Sequence, residues 1–244
     1  MTDFVGRRCV VTGASSGIGR ALAVALAQAG ARVYAVGRDR ARLDLLGVDA
    51  AELEGEVVAL LANLEQDADI ERVVQRSLSE ERTLDLLVHS AGAIELGTAS
   101  SAAIAELDAQ YRVNLRAPVA LTQALLPALR RARGQVVFIN SSAALRASAT
   151  NVFYAATKAA LKAFADGLRD DVNADGIRVV TVLVGRTATP MQAAVHEFEG
   201  KQYRPDTLLQ PGDVAQVVLE ALSLPETAEV TDISVRPMTK PLGP

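Results

Sequence analysis

Short apolar runs alternate with longer segments of helical spacing along most of the 244-residue chain. Val-rich runs bounded by glycine or polar residues are typical of strands that are buried in a parallel sheet. Seven runs have this form, at residues 8–12, 31–36, 56–61, 84–88, 135–139, 177–184 and 229–235. We therefore predict seven strands.

Segments with helical periodicity lie between these runs, at residues 20–29, 67–78, 104–131 (with Pro118 inside) and 152–172. Neither a linker nor a repeat interrupts the alternation. Regular alternation of strands and helices predicts right-handed crossovers and a parallel sheet. The predicted fold is α/β, a single-domain Rossmann-type doubly wound, mostly parallel seven-stranded sheet with helices on both faces, formed by residues 1–244.

Glycine-rich or polar clusters follow the predicted strands, at residues 13–19, 37–39, 90–92, 140–142 and 185–189. The carboxyl ends of parallel strands meet at one edge of the sheet, where such folds bind their ligands. We therefore expect these clusters to form one site.

Composition narrows the class of partner. Half of the residues are hydrophobic, only 4% are aromatic, and the net charge of −4 provides no basic surface for nucleic acid or for an anionic membrane. One cysteine, Cys9, and two histidines offer neither disulfides nor a thiolate metal cluster, so we expect no metal. We also expect no signal peptide, no membrane-spanning run and a cytoplasmic location.

The spacing Gly13-x-x-x-Gly17-x-Gly19 lies between a predicted strand and the helix that follows it. Backbone N–H groups and a helix N-terminus at such a turn suit a pyrophosphate group. A glycine-rich turn between tightly packed elements is the alternative interpretation. The turn is not a P-loop, because it is not followed by a Lys-Ser/Thr pair.

Tyr154 and Lys158 are four residues apart on a predicted helix and therefore share one face. An ammonium near a phenol favours the phenolate, so we expect Lys158 to lower the pKa of Tyr154 toward values useful for proton transfer. The alternative is a half-buried aromatic residue with a solvated neighbour.

Five motifs resemble those of the short-chain dehydrogenases/reductases, in the order and at the spacings usual in that family. Residues 12–19 (TGASSGIG) resemble the cofactor fingerprint, and Ser90-Ala91-Gly92 resembles the Asn-Ala-Gly end of a strand. The other three are similar to the catalytic positions of the family: Asn114, Ser141, and Tyr154 with Lys158. Ser141 is preferred to Ser142 because it lies thirteen residues before Tyr154.

The resemblance implies a role for each catalytic position. Tyr154 would exchange a proton with a carbonyl or alcohol oxygen, and Lys158 would also hold the nicotinamide ribose. Ser141 would bind the same carbonyl oxygen, and Asn114 would help anchor a water that leads to the lysine. The alternatives are a Ser that caps a strand-to-loop turn and an Asn at a helix irregularity.

The resemblance to the NADP-preferring branch rests on the end of the second strand. Gly37 stands where NAD-preferring members carry an Asp, and Arg38 follows it, whose guanidinium suits a phosphate. The alternative is an exposed Arg in a polar turn. The expected cofactor is NADP, and the expected cofactor contacts are Gly13, Ser15, Ser16, Gly17, Ile18, Gly19, Arg38, Asn63, Leu64, Ser90, Ala91, Gly92, Tyr154, Lys158, Gly185, Thr187 and Thr189.

The chain departs from the family pattern at three places. Asn63 stands in place of the usual Asp, His89-Ser90 in place of Asn-Asn, and Val184-Gly185 in place of Pro-Gly. An amide at Asn63 retains the ability to contact adenine. Without the proline, the loop after the sixth strand is less constrained.

The resemblance also implies a substrate flap at about residues 186–209, with the sequence set by the substrate. Four of its residues, Met191, His196, Phe198 and Tyr203, would line a pocket or fix the flap to the body of the protein. Oligomers are common in the family, so we expect a homodimer or homotetramer built on the helices at 104–131 and 152–172.

The predicted function is that of an NADP-dependent oxidoreductase, which transfers a hydride between the nicotinamide and a ketone, an aldehyde or a secondary alcohol. A non-catalytic NADP-binding sensor or scaffold protein on the same fold is the alternative. A sugar-nucleotide epimerase or dehydratase of the extended branch is a third possibility, for which this chain is short.

Overall fold

Seven strands form one parallel sheet in the order β3-β2-β1-β4-β5-β6-β7 in the computed structural model, which describes residues 4–238. The strands are β1 (Arg8–Thr12), β2 (Arg32–Gly37), β3 (Glu56–Leu61), β4 (Leu86–His89), β5 (Gln135–Ser141), β6 (Arg178–Val184) and β7 (Asp232–Val235). The predicted fold class is confirmed, and each of the six pairings is parallel. Residues 1–3 and 239–244 of the predicted domain lie outside the described residues.

The helices connect these strands and cover the sheet. They are α1 (Gly17–Gln28), α2 (Arg40–Asp49), α3 (Asp67–Ser77), α4 (Ile104–Tyr111), α5 (Ala117–Ala132), α6 (Val152–Val172), α7 (Pro190–Phe198) and α8 (Pro211–Leu222). The predicted helix at 104–131 is therefore wrong as a continuous α-helix, because a π-helical turn (Arg112–Arg116) separates α4 from α5. Among residues 4–238, none of the helices is both long and apolar enough to span a bilayer.

Each face of the sheet buries its own apolar cluster. On one face, Leu22 and Leu26 of α1 pack with Val214 and Val218 of α8 against the strands. On the other face, helices α3, α5 and α6 pack against the strands. Because both faces are covered, β1, β2, β4, β5 and β6 are buried at nearly every position, and the apolar runs within them made these strands recognisable in the sequence.

The order of strands reverses direction between β1 and β4. Connections on the two sides of this point leave in opposite directions, so a crevice forms outside the carboxyl ends of these two strands. The loops that follow β1 and β4 carry two of the predicted motifs, at residues 13–19 and 90–92.

Gly55 lies in the turn before β3, at the edge of the sheet opposite to the crevice. A substitution at this position tests the packing there directly. A Cβ atom at Gly55 would lie 2.1 Å from the Ala31 carbonyl oxygen, whereas one at Gly47 in α2 would meet no atom within 4 Å in residues 4–238. We expect Gly55→Ala to lower the free energy of unfolding by about 1–3 kcal/mol. Gly47→Ala, the matched control, should raise it by about 0.5–1 kcal/mol. Urea unfolding measures both; a wild-type midpoint for Gly55→Ala would contradict this packing.

Candidate active site

The glycine turn after β1 lies directly against the end of β4. Gly13 has a φ of +68°, and a Cβ atom there would lie 2.8 Å from the backbone N and Cα of Ala91. Any other residue would therefore be strained in conformation and would overlap this backbone. Gly19 is equally restricted, because its Cβ atom would lie 2.4 Å from the Gly13 carbonyl oxygen.

The Thr12 hydroxyl fixes this contact. It accepts hydrogen bonds from the backbone N–H groups of Ser90 (3.0 Å) and Ala91 (3.1 Å) and donates one to the Val88 carbonyl (3.3 Å). Thr12 belongs to the TGASSGIG fingerprint but was not among the predicted site residues. Its place as the last residue of β1 was the available signal, because a hydroxyl there reaches the neighbouring strand end.

The glycine turn offers backbone and helix-terminus groups to an anion. Ser16 is the N-cap residue of α1, and its side chain makes no capping hydrogen bond within the described part of the chain. Ile18 packs partly against the core, so it contributes to the turn by packing. The N-terminus of α1 therefore presents N–H groups toward the crevice, as a pyrophosphate site requires.

The end of β2 has little room for a side chain at position 37. A Cβ atom at Gly37 would lie 2.9 Å from Ser15 Cβ. An Asp at this position would therefore require the glycine turn to move. The side chain of Arg38 is 75% exposed at the same edge, and its Nη1 lies 3.9 Å from Glu65 Oε1.

The loop after β3 meets this edge through the hydrogen bond from Ala62 N–H to the Gly37 carbonyl (2.8 Å). Asn63 donates its backbone N–H to Asp69 Oδ2 (2.7 Å) and accepts from the Glu65 N–H through Oδ1 (3.2 Å). The Leu64 side chain is buried in the core. Leu64 therefore anchors this loop in the core, and the Asn63 side chain closes its turn.

Lys158 and Tyr154 lie one turn apart on α6, beside Ser141 at the end of β5. Lys158 is 4% exposed; its Nζ donates to the Ile139 carbonyl (3.1 Å) and lies 5.9 Å from the centre of the Tyr154 ring. Ser141 Oγ accepts from the Ala143 N–H (3.1 Å), as in the turn-capping alternative, and the same side chain lies close enough to the Tyr154 phenol to lower its pKa. The three residues that the sequence predicted for catalysis therefore lie together.

The pKa values differ from the expectation. Burial lowers the pKa of Lys158 to about 8. Burial also raises the pKa of Tyr154, and only the Ser141 side chain opposes this rise. The prediction that Lys158 lowers the pKa of Tyr154 is thus wrong for the protein alone, because desolvation of the phenol outweighs the effect of an ammonium directed at the Ile139 carbonyl.

Asn114 lies in the π-helical turn and is fully buried. Its Oδ1 accepts from the Ala93 N–H (2.8 Å), and its Nδ2 donates to the Ala93 carbonyl (2.9 Å) and to Thr157 Oγ1 (3.0 Å). The irregular helix that sequence reasoning held as an alternative is therefore present. Both N–H groups of the amide are engaged, so a role in holding water stays a prediction.

His89 replaces an Asn of the family pattern and points into the core, away from the glycine turn. Its ring stacks on Phe138 at 4.9 Å, and Nε2 lies 2.8 Å from Thr122 Oγ1. Burial, together with the charge of Lys158, lowers the pKa of His89 to about 3. His89 is therefore neutral at physiological pH and adds no charge to the site.

The predicted flap, residues 186–209, lies against the glycine turn near its beginning. A Cβ atom at Gly17 would lie 2.9 Å from Thr189 Cγ2, so Thr189 contacts the turn directly. A Cβ atom at Gly92 would lie 3.8 Å from both Met191 Cε and Lys158 Nζ. Met191 and Lys158 therefore both approach Gly92.

Other flap residues fix the segment to itself and to the β6 end. Arg186 forms a two-bond ion pair with Glu199 (Nη1 to Oε2, 2.9 Å). His196 is buried, contacts the Tyr203 ring at 5.5 Å and hydrogen-bonds the Gln192 carbonyl through Nδ1 (2.8 Å). Of the four residues considered in the sequence, Met191 faces the site, His196 and Tyr203 stabilise the flap, and Phe198 is exposed.

The remaining predicted residues after β6 shape its loop. Gly185 donates its N–H to the Val235 carbonyl (2.8 Å), and Thr187 Oγ1 donates to the Gly185 carbonyl (3.0 Å). Thr189 caps α7 by accepting from the Gln192 N–H (3.2 Å). These bonds replace part of the constraint that the usual proline would supply.

Comparison with known proteins agrees with this geometry. A family model described as short chain dehydrogenase matches residues 7–200. An uncharacterized short-chain type dehydrogenase/reductase from Sinorhizobium fredii is 36% identical over 242 residues, which cover 96% of this chain and 92% of that protein. A short chain dehydrogenase from Burkholderia cenocepacia, solved in complex with NADP, has a TM-score of 0.83 and 28% identity, covering 95% of this chain and 97% of that one. L-sorbose reductase from Gluconobacter frateurii, solved with NADPH and L-sorbose, has a TM-score of 0.87 and 25% identity, covering 96% of each chain.

The lowered pKa of Lys158 predicts a pH-dependent stability. The ordinary pKa of 10.5 applies to the unfolded chain, and burial lowers it to about 8 in the folded protein. As the pH falls from 10.5 toward 8, only the unfolded chain gains this proton, so stability falls by about 1.4 kcal/mol per pH unit. Lys158→Met removes the titrating group and should lack this component.

Urea unfolding of both proteins at several pH values between about 8 and 10 measures the effect. The free energy of unfolding of the wild type, minus that of Lys158→Met, should rise with pH, because the contributions of the other titrating groups cancel. A difference that is constant over this range would show that burial does not lower this pKa.

Proposed function

Because this chain belongs to the short-chain dehydrogenase/reductase family, we propose that it is an NADP-dependent oxidoreductase that interconverts a ketone or aldehyde and the corresponding alcohol. The observation that carries the proposal is the meeting of Ser141, Tyr154 and Lys158 beside Gly92, at the edge where the glycine turn lies. The Burkholderia and Gluconobacter proteins, solved with NADP and NADPH, support the choice of cofactor.

The residues fit a dinucleotide. Gly13, Gly17 and Gly92 keep the crevice free of side chains, and the N-terminus of α1 offers N–H groups to the pyrophosphate. The exposed guanidinium of Arg38, beside a position that has no room for an acid, suits a 2′-phosphate. The bound nicotinamide would supply or accept the hydride.

Proton transfer would be the task of Tyr154. Its raised pKa keeps the phenol protonated at neutral pH, as a general acid for carbonyl reduction requires. Ser141 would hydrogen-bond the same substrate oxygen and hold it next to the phenol. Lys158 would hold the ribose hydroxyls.

A non-catalytic sensor on the same fold is not favoured. A protein that only binds NADP has no need of a buried lysine next to a tyrosine and a serine, since burial of Lys158 costs stability below pH 10.5.

We further propose a homodimer or homotetramer in the cytoplasm. The exposed apolar side chains of Ile104 and Tyr111 on α4 support an oligomer, and the buried Cys9 thiol suits a reducing compartment.

We also propose that residues 1–244 form a single domain, in which residues 186–209 act as the substrate flap. The proximity of Thr189 to Gly17 and of Met191 to Gly92 supports this role. The flap would separate substrate and nicotinamide from water during the reaction.

Arg38→Ala tests the cofactor choice. A charge-assisted hydrogen bond contributes about 1.5–3 kcal/mol, so we expect NADPH affinity to fall about tenfold to a hundredfold and NADH affinity to change little. Fluorescence titration with each cofactor measures this. Arg130→Ala is the matched control, because Arg130 pairs with Asp175 near the opposite edge of the sheet. Equal losses for both cofactors, or a wild type that prefers NADH, would contradict the proposal.

Tyr154→Phe tests the mechanism. The change keeps the ring and removes the general acid, so turnover should fall about 10²–10⁴-fold while NADPH affinity stays near the wild-type value. Lys158→Ala should lower both, because it removes the ribose contact as well. Substrate is found first by a screen of ketones, aldehydes and secondary alcohols that follows NADPH absorbance.

The control for this experiment is Tyr111→Phe, which removes a hydroxyl from a tyrosine that is 45% exposed on α4. It should leave turnover unchanged. Wild-type turnover in Tyr154→Phe would show that Tyr154 is not the acid. A wild type that binds NADPH but converts no compound in the screen would favour the sensor.

A further inference from the structure

The hydroxyl of Thr157 connects the catalytic turn of α6 to the loop after β4. Thr157 is 4% exposed; its Oγ1 donates to the Tyr154 carbonyl (2.8 Å) and accepts from Asn114 Nδ2 (3.0 Å). Asn114 in turn binds the N–H and the carbonyl of Ala93, the residue that follows Gly92. One hydroxyl thus links three segments that carry predicted site residues.

The bond that Thr157 accepts from Asn114 is unusual for a threonine in a helix. A Thr side chain in a helix commonly bonds a carbonyl three or four residues earlier, which accounts for the contact with Tyr154. The bond from Asn114 is a tertiary contact, and the π-helical turn at Arg112–Arg116 places Asn114 where it reaches both Ala93 and Thr157. The hydroxyl therefore fixes the first turn of α6, through the Tyr154 carbonyl, relative to the π-helical turn.

We propose that Thr157 is a positioning residue for Tyr154, and that its hydroxyl holds the first turn of α6 so that the phenol reaches Ser141 and the substrate oxygen. This inference rests on the proposed function. Without the hydroxyl, a buried N–H of Asn114 loses its partner and the turn is free to shift. Misplacement of a reacting group by about 1 Å can lower a rate by about 10²-fold.

Three variants separate positioning from packing. Thr157→Val keeps the shape of the side chain and removes the hydroxyl, whereas Thr157→Ser keeps the hydroxyl. Thr181→Val is the matched control, because the buried Thr181 hydroxyl on β6 makes no hydrogen bond within residues 4–238. Each protein is assayed for kcat, KM and NADPH affinity.

We expect Thr157→Val to lower kcat about tenfold to a hundredfold and to leave NADPH affinity within about threefold of the wild type. Thr157→Ser should restore kcat to within about threefold, and Thr181→Val should match the wild type. Unchanged kcat in Thr157→Val, or an equal loss in Thr157→Ser, would overturn the proposal.

A second measurement does not depend on turnover. The ultraviolet titration of tyrosine, after subtraction of the Tyr154→Phe titration, reports the pKa of Tyr154 in each variant. The Ser141 side chain lowers that pKa, so a phenol displaced from Ser141 in Thr157→Val should titrate at a higher pH than in the wild type. The pKa of Tyr154 should be unchanged in Thr157→Ser and in Thr181→Val.

These readouts distinguish the two proposals. Absence of turnover in the wild type would remove the proposed function, while the titration would still decide whether Thr157 positions the phenol. An unshifted titration in Thr157→Val would overturn the positioning role. A loss of thermal stability alone, with kcat and the pKa of Tyr154 unchanged, would assign Thr157 to packing.

Discussion

The contact between the glycine turn and the end of β4 determines where the site lies. The Thr12 hydroxyl accepts hydrogen bonds from the backbone N–H groups of Ser90 and Ala91. A Cβ atom at Gly13 would lie 2.8 Å from the Ala91 backbone. This contact sets the N-terminus of α1 beside the crevice at the reversal of strand order. The glycine turn and the residues after β4 are therefore fixed relative to each other.

A series of hydrogen bonds connects Ala93, two residues after Ala91, with Tyr154. The Ala93 backbone hydrogen-bonds the Asn114 amide, and Asn114 Nδ2 donates to Thr157 Oγ1. Thr157 Oγ1 in turn donates to the Tyr154 carbonyl. Lys158 is anchored separately, through the Ile139 carbonyl of β5. The burial that makes these bonds firm also lowers the pKa of Lys158 and raises that of Tyr154, so the protein alone does not favour the phenolate.

Sequence reasoning succeeded where the pattern is local. The strands at 8–12 and 56–61 and the helix at 152–172 were predicted with their exact bounds, because apolar runs and helical spacing are short-range signals. Helices α2, α7 and α8 were not predicted. In α2, Leu45 and Val48 are exposed while Leu43 and Leu46 are buried, which blurs the helical periodicity.

Tertiary contacts explain the other errors. A π-helical turn adds one residue to a helical repeat that still appears continuous, so the sequence showed one helix at 104–131. The roles of Thr12 and Thr157 depend on partners 76–79 and 43 residues away, respectively, which no local pattern reveals. The pKa of Tyr154 depends on burial, and spacing along a helix does not report burial.

The most direct test of the account is a crystal structure of the protein with NADP bound. We predict the pyrophosphate over residues 13–19, the 2′-phosphate against Arg38 and the nicotinamide ribose at Lys158; a cofactor bound elsewhere, or a 2′-phosphate free of Arg38, would contradict it.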